Sequence, residues 1–176
     1  MDLSADTLIG SAEGATTQDA SPYSIREYRP GDETQILVSN FRDMWLANAV
    51  PPQNMKPSLD EISLTFIQEA RDNNKFMAFV AEVDGHVAGS TCCQLFKGLY
   101  TLVFEESVRR LGYVWGVYVD KSQRGKGIGK GLMTACINYL KSIHCTKAVL
   151  HAAPPGKPLY ESLGFKPTNE MGLDLV

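Results

Sequence analysis

The sequence has no long apolar run and little net charge, and each shortage excludes a class of protein. No apolar stretch approaches the ~18 residues that a membrane-spanning helix needs. A formal net charge of −3 gives no sign of the basic surface that nucleic-acid-binding proteins carry. We therefore expect neither a membrane nor a nucleic acid as partner.

The four cysteines lack the spacing of a metal site. They stand at positions 92, 93, 136 and 145, and no C-x-x-C pair occurs among them. We predict that they are reduced thiols in the core and that the protein binds no metal. Reduced thiols fit a reducing compartment, so we expect a cytoplasmic protein.

The N-terminal segment, residues 1–22, has no basic residue and four acidic ones. This composition argues against a signal peptide and against an arginine-rich transit peptide. Its small polar side chains cannot bury enough surface to offset the entropy lost on folding. We predict a disordered tail over residues 1–22 and a single domain over residues 23–176, a length typical of one domain.

Apolar periodicity predicts a mixed sheet covered by helices, in the order β-α-α-β-β-β-α-β-α-β. Asp84-Gly85 predicts a hairpin between two strands, because that dipeptide favours a two-residue turn. Further strands are predicted at 110–119, at 147–152 and at the C-terminal end, 165–176. Residues 97–109 are predicted to form a loop.

Capping residues predict where the helices begin and end. Asp32 is the predicted N-cap of the first helix. Ser58 and Glu61 predict a capping box at the start of the second helix. A helix is predicted from Gly127 to about residue 144, and Gly164 is the predicted end of the last helix.

Residues 117–132, VYVDKSQRGKGIGKGL, join a predicted strand to this predicted helix and have glycine at positions 125, 127, 129 and 131. The N-terminus of a helix has unsatisfied N–H groups and about half a positive charge, which suits a phosphate. Glycine lets the backbone approach a ligand closely, and Lys126 and Lys130 add positive charge. The junction predicts a pyrophosphate-binding site, with a merely flexible connector as the plainer alternative.

Two common nucleotide motifs do not fit this junction. The P-loop requires Gly-Lys-Ser/Thr, which is absent from the sequence. The dinucleotide motif G-x-G-x-x-G requires a third glycine where this chain has Lys130 or Leu132. The phosphate site must therefore belong to another class.

The spacing that fits is R-x-x-G-x-G, at Arg124, Gly127 and Gly129. Behind VYV and ahead of an amphipathic helix, it resembles the phosphate-binding motif of the GNAT superfamily, the acyl-CoA-dependent N-acyltransferases. The stretch GKPLYESLGF, residues 156–165, resembles the C-terminal LYE-x-LGF segment of the same family. The resemblance extends from about residue 23 to 176. It implies the α/β GNAT fold, whose mixed central sheet is splayed between its fourth and fifth strands.

The resemblance also implies that acetyl-CoA is the co-substrate and lies where those two strands separate. The pantetheine arm would pair with the backbone of Val117 and Val119, whose side chains belong to the core. The N–H of Val117 or Tyr118 is a candidate donor to the thioester carbonyl oxygen. The residues implied to bind acetyl-CoA are Val117, Tyr118, Val119, Arg124, Gly125, Lys126, Gly127, Ile128, Gly129 and Lys130.

The implied general acid is Tyr160, which matches the family tyrosine that faces the CoA sulfur. A buried tyrosine that only fills space is the alternative. The glutamate base of many family members is absent, and its position holds Tyr113, which we consider as a base acting through ordered water. His151 is a second candidate base, because imidazole titrates at about pH 6.5. A structural role is the alternative, since a lone histidine in a strand is often structural.

The acceptor side of the family fold is walled by the first two helices and by the loop before the central strand. Here Trp45 and Trp115 offer aromatic surface, and Glu105 could attract an ammonium group. Helix core for Trp45 and a solvated loop position for Glu105 are the plainer interpretations. The apolar bias indicates a small primary amine with hydrophobic parts.

The expected function is transfer of an acetyl group from acetyl-CoA to an amine by direct attack within a ternary complex. Two alternatives stay open at this point. One is a non-catalytic acyl-CoA-binding or sensing module that has lost the base, and the other is a protein or peptide N-acetyltransferase. A homodimer is a further arrangement that the sequence leaves open.

Overall fold

The computed structural model describes residues 22–175, and within them a five-stranded mixed sheet forms the centre of the molecule. The strands lie side by side in chain order, with the first four antiparallel and the fifth parallel to the fourth. The strands are β1 (Ser24–Glu27), β2 (Met77–Val83), β3 (His86–Leu95), β4 (Leu111–Val119) and β5 (Lys147–Val149). The predicted mixed sheet is therefore confirmed. The boundary predicted at residue 22 stays a prediction, and the predicted tail lies almost wholly outside the described residues.

Five α-helices accompany the sheet in the described residues. They are α1 (Asp32–Ala47), α2 (Leu59–Asn73), α3 (Leu99–Leu102), α4 (Ile128–Ser142) and α5 (Lys157–Ser162). The segment predicted as a loop, 97–109, contains the one-turn helix α3. Three short 3₁₀ turns, at Pro52–Asn54, Lys121–Gln123 and Pro154–Gly156, complete the connections.

Both faces of the sheet are buried, so the core has two halves. Along β2, Ala78 and Val80 face the half that includes α1 and α2, while Phe79 and Ala81 face the half that includes α4. This alternation follows from the two-residue period of a strand. It also separates the neighbouring Cys92 and Cys93, which lie in opposite halves.

The cysteine prediction needs one correction. All four cysteines are free thiols, and Cys92, Cys93 and Cys136 are buried as expected. Cys145 is only half-buried, because it follows α4 and lies at the edge of the core rather than inside it.

Two predicted caps differ from the structure. Gly31, not Asp32, is the N-cap of α1, and its N–H donates to the Thr34 hydroxyl (3.4 Å). Ser58 is the N-cap of α2 as predicted, but its side chain makes no capping bond. The reason is its backbone conformation, φ −86° and ψ 19°, which is not the extended form that aims a capping hydroxyl at the helix.

The hairpin turn at Asp84-Gly85 is confirmed. Both residues have positive φ, 50° and 78°, as a two-residue hairpin turn with matching twist requires. The β2–β3 pairing accordingly reaches Val83 and His86 on either side of the turn.

The C-terminal strand predicted at 165–176 is wrong, because residues 165–175 form no strand. Its alternating apolar residues are instead exposed: Met171 by 94%, Leu173 by 83% and Leu175 by 86%. The strand predicted at 147–152 is also shorter than expected and ends at Val149. Pro167, within the predicted strand, has no N–H to donate to a strand ladder.

The predicted separation of the fourth and fifth strands is confirmed. β5 pairs with β4 only at Leu111↔Lys147, Gly112↔Ala148 and Tyr113↔Val149. β4 then continues to Val119 with no partner on that side among the described residues. The unpaired length of β4 creates an opening that leads from Tyr113 toward the start of α4.

An ion-pair network joins β1, α1 and β2. Arg26 of β1 donates to both carboxylate oxygens of Glu33 (2.7 and 3.1 Å) and to Glu82 of β2 (3.0 Å). Glu33 also accepts the Arg29 N–H (2.5 Å) and is 8% exposed. The hydrogen bond from Arg26 lowers the pKa of Glu33 from its ordinary value of 4.5 and outweighs the opposing effect of burial.

We predict that Glu33→Gln destabilises the fold by about 2 kcal/mol at pH 7, because it removes charge-assisted hydrogen bonds. Because the pKa of Glu33 is lower in the folded protein than its ordinary value of 4.5, the ionised carboxylate stabilises the fold above that pH. This stabilisation is lost as the pH falls through the lowered pKa of the folded state. The difference in unfolding free energy between variant and wild type, measured by urea denaturation, should therefore be larger at pH 7 than at pH 3. Glu61→Gln, on the exposed side of α2, is the control. A difference that persists unchanged at pH 3 would contradict the assignment.

Candidate active site

The strand-to-helix junction presents a row of free backbone N–H groups. α4 begins at Ile128, and its N-cap, Gly127, has the left-handed conformation (φ 82°) that glycine adopts without strain. The first helical bond runs from Gly131 N–H to Gly127 O (3.0 Å), and Tyr23 Oη donates to the same carbonyl (3.1 Å). The N–H groups of residues 124–130 donate to no protein acceptor within residues 22–175. This is the arrangement that binds an anion at a helix N-terminus.

Side chains of the junction hold its shape and add charge. Arg124 Nε donates to the Val119 carbonyl (3.0 Å), which ties the loop to the end of β4. Lys126 Nζ donates to Gln123 Oε1 (2.8 Å), and Lys130 lies in the first turn of α4. Arg124 therefore positions the loop, while the two lysines supply positive charge beside the free N–H groups.

A β-bulge interrupts β4 where the opening begins. Gly116 and Val117 together lie opposite Thr91 of β3, and Gly116 has φ 63°. Bulges of this kind occur next to active sites, where they redirect backbone groups. The sequence analysis missed Gly116, although a glycine inside a strand pattern is a signal for a bulge.

A cavity of about 360 Å³ lies on the opened side of β4. Its helical wall consists of Phe41, Met44, Trp45, Ile62, Ser63 and Phe66. Its strand wall consists of Tyr113, Val114, Trp115, Gly116 and Val117. Leu150, His151 and Tyr160 close the remaining side.

Tyr160 is held in the cavity wall by the end of α5. The Phe165 N–H donates to Tyr160 O (3.0 Å) and the Gly164 N–H donates to Glu161 O (3.0 Å), which is the Schellman motif. The rings of Tyr160 and Phe165 lie 6.1 Å apart, and a Cβ on Gly156 would approach Tyr160 Cε2 to 3.0 Å. Burial raises the pKa of Tyr160 above its ordinary value of 10, so its hydroxyl keeps its proton at neutral pH.

Tyr113, His151 and Glu170 form a chain of polar contacts at the cavity. Tyr113 Oη lies 2.8 Å from His151 Nδ1, and His151 Nε2 lies 3.4 Å from Glu170 Oε1. When Nε2–H donates to Glu170, Nδ1 is left as the acceptor for the Tyr113 hydroxyl. Burial, and then the charge of Glu170, raise the pKa of Tyr113 above its ordinary value of 10. We call these three residues the Tyr113 relay.

Comparison with known proteins identifies the family. The model of the acetyltransferase (GNAT) family matches residues 38–165. The chain belongs to the GNAT family. It is therefore an N-acetyltransferase, as the names of its relatives also indicate.

Relatives and solved structures agree with this membership. The chain is 30% identical to glucosamine 6-phosphate N-acetyltransferase of Trypanosoma brucei brucei over 122 residues, 68% of this chain and 80% of that protein. A GCN5-related N-acetyltransferase from Ralstonia eutropha has a TM-score of 0.73 at 22% identity, covering 87% and 98% of the two chains. A predicted acetyltransferase from Clostridium acetobutylicum, solved with acetyl-CoA, has a TM-score of 0.71 at 23% identity, covering 87% and 96%. The structural likeness establishes the GNAT fold.

The opening beside β4 has backbone groups that suit acetyl-CoA. An unpaired strand edge, free N–H groups at a helix N-terminus and flanking lysines match the amides and the pyrophosphate of that molecule. Within residues 22–175, no group of three or more metal-ligating side chains occurs. No helix among those residues has the length and apolar character needed to cross a membrane.

Most, but not all, of the catalytic and acceptor-site residues predicted from the sequence lie in the wall of the cavity. Trp45, Tyr113, Trp115, His151 and Tyr160 lie in its wall. Glu105 does not, because the loop at 97–109 carries it away to an exposed position. His151 lies beyond the end of β5 rather than on a strand.

Glu170 was not predicted as a site residue. It lies 19 residues after His151, in the segment that was wrongly predicted as a strand. The contact therefore depends on the course of a segment without regular structure, which no local pattern signals.

We predict that Gly127→Glu weakens acetyl-CoA binding at least about 30-fold more than Gly127→Gln, because like charges at close range repel by about 2 kcal/mol. The two variants have side chains of equal size and equal backbone strain, so their difference isolates charge. Calorimetric titration with acetyl-CoA at low and at high salt measures it, and the difference should shrink with salt. Equal affinities of the two variants would contradict the phosphate site.

Proposed function

We propose that this GNAT enzyme transfers the acetyl group of acetyl-CoA directly to the primary amine of a small molecule bound in the cavity. The observation that carries the proposal is the meeting of Tyr160, the Tyr113 relay and the bulged strand around one cavity. This cavity opens beside the free N–H groups that suit a pyrophosphate.

The binding roles follow from the geometry of the opening. The N–H groups of residues 124–130 would hold the pyrophosphate, and Lys126 and Lys130 would add charge. The Val117 backbone and the Val119 N–H, on the unpaired edge of β4, would pair with the pantetheine amides as an added strand, while the Val119 carbonyl accepts Arg124 Nε. When bound, acetyl-CoA supplies an acetyl group activated as a thioester.

Acid catalysis falls to Tyr160. Its hydroxyl donates a proton to the departing sulfur as the new C–N bond forms and the C–S bond breaks. The raised pKa keeps the proton available at neutral pH, the Schellman motif fixes the backbone at Tyr160, and Phe165 packs against the ring. The Val117 N–H at the bulge donates to the carbonyl oxygen as negative charge develops there. The Tyr118 N–H faces β3 instead, as the bond from the Asp120 N–H to the Ala88 carbonyl two residues on indicates.

Base catalysis falls to the Tyr113 relay in place of the missing glutamate. The Tyr113 oxygen takes a proton from the acceptor amine, directly or through water, as its own proton passes to His151 Nδ1. Glu170 orients the imidazole and balances its charge. Without His151, Tyr113 would be a poor base. Its raised pKa keeps the hydroxyl neutral, and a neutral hydroxyl accepts a proton only if its own proton has an acceptor such as His151 Nδ1.

A small acceptor is favoured over a protein chain. The cavity is bounded by α1 and α2 on one side and by β4 on the other, and its volume of about 360 Å³ is at the low end of ligand pockets. The name of the Trypanosoma relative, whose acceptor is a small amine, supports the same class. A homodimer and a cytoplasmic location stay predictions.

We predict that Tyr160→Phe lowers kcat about 100-fold, because it removes the general acid. The KM for acetyl-CoA should change little, since the ring and its packing remain. Steady-state kinetics with acetyl-CoA and an accepted amine measures both. Tyr139→Phe, which removes a hydroxyl bonded to the Lys75 carbonyl, is the matched control. A kcat equal to that of the control would contradict the acid role.

We predict that Tyr113→Phe and His151→Gln each lower kcat about 10- to 100-fold and that the double variant is no worse than the poorer single one. Two residues that form one relay fail together, so their effects do not multiply. His86→Gln, an exposed histidine at the start of β3, is the control. Multiplicative losses would show that the two residues act separately, which would disprove the relay.

A further inference from the structure

We infer that the acceptor is an amine bearing an aromatic or comparably broad apolar group, and that a phosphorylated amino sugar is excluded. This inference deepens the proposed function and rests on it. It follows from the chemistry of the cavity wall and runs against the substrate named for the Trypanosoma relative.

One side of the cavity is an aromatic wall, which we define as Phe41 and Trp45 of α1, Phe66 of α2 and Trp115 of β4. The Trp115 ring lies 5.5 Å from Phe41 and 5.4 Å from Phe66, at interplanar angles of 86° and 76°. Phe41 and Trp45 are 5.9 Å apart at 80°. Edge-to-face contacts of this kind hold rings in fixed orientations, so the wall is preformed.

Part of this wall faces water instead of the core. Phe66 is 44% exposed, Trp45 38% and the neighbouring Ile62 47%. Large apolar side chains that gather in one cavity and remain this exposed gain favourable free energy when an apolar ligand covers them.

The described residues give the cavity no fixed positive charge with which to bind a phosphate. Among the described residues that line it, none is lysine or arginine, and His151 is engaged by Tyr113 and Glu170. Arg42, which α1 carries near this region, is paired with Asp60 of α2. A phosphate placed against the aromatic wall would lose its hydration with no charge partner.

Three polar side chains of the cavity lie on the side away from α1 and α2, and the hydroxyl of Ser63 on α2 donates to the Leu59 carbonyl. Tyr113, His151 and Tyr160 come from β4, the segment after β5 and α5, whereas three of the four wall residues come from α1 and α2. A ligand that satisfies both sides carries its amine at one end and its apolar group at the other. A volume of about 360 Å³ suits one ring system with a short linker.

The first test compares acceptors under saturating acetyl-CoA. The series is 2-phenylethylamine, tryptamine, ethanolamine, glucosamine and glucosamine 6-phosphate, with kcat/KM as the readout. We expect the two arylalkylamines to exceed glucosamine 6-phosphate and ethanolamine at least about tenfold, because only they cover the wall.

The second test alters the wall with a matched control. Phe66→Ala should lower kcat/KM for the arylalkylamines about tenfold, mainly through KM, and leave the affinity for acetyl-CoA unchanged. Leu64→Ala, on the same helix, 37% exposed and outside the cavity, should change neither. Both positions are partly exposed, and thermal melts of the two variants check that each remains folded.

A binding measurement avoids dependence on turnover. Both tryptophans of the chain lie in the wall, so arylalkylamine binding should change their fluorescence in the presence of CoA, while glucosamine 6-phosphate should not. A quench by 2-phenylethylamine that disappears in Phe66→Ala supports the inference.

The possible failures are distinguishable. Preference for glucosamine 6-phosphate, or indifference across the series, overturns the acceptor class and leaves the N-acetyltransferase proposal standing. An unaltered kcat/KM in Phe66→Ala overturns the role of the aromatic wall. Absence of acetyl transfer to every amine, with acetyl-CoA bound, overturns both the inference and the proposed function.

Discussion

β4 and β5 share hydrogen bonds over only three residue pairs, and the features of the site depend on this early separation. Beyond Tyr113 the backbone of β4 has polar groups on one side that no strand within residues 22–175 satisfies. Buried backbone groups require partners, and an extended ligand with its own amides is one solution. The same separation admits the Tyr160 ring from α5 and the His151 ring from the segment after β5. A longer β5 would close the space in which we propose that the reaction takes place.

Features that arise from neighbouring residues could be predicted from the sequence, whereas features that arise from distant contacts could not. Asp84-Gly85 and the glycine junction were predictable because a turn and a helix start depend on a few consecutive residues. The Tyr113 relay joins positions 113, 151 and 170 and depends on where β5 ends. The C-terminal strand failed for the same reason: its alternation is real, but no strand of the described residues pairs with it.

Partial success at Ser58 illustrates the limit within a local motif. The residue type correctly predicted where α2 begins, since serine is a common N-cap. Whether its hydroxyl bonds to the helix depends on φ and ψ, which the preceding Lys56-Pro57 turn and the packing of α2 determine. Residue type therefore predicts the position of an N-cap better than it predicts whether the capping hydrogen bond forms.

The bulge at Gly116 has a consequence for the side chains that follow it. Before the bulge, Val114 packs into the half of the core that includes α4, and Trp115 packs against the other half. After it, the odd-numbered Val117 and Val119 pack on the α4 side. The extra residue thus reverses the parity of the strand. If Gly116 instead paired as a regular strand residue, strict even–odd alternation would turn both valines toward α1 and bring Tyr118 under α4. One inserted glycine allows the first part of β4 to line the cavity and the last part to pack under α4 beside the glycine junction.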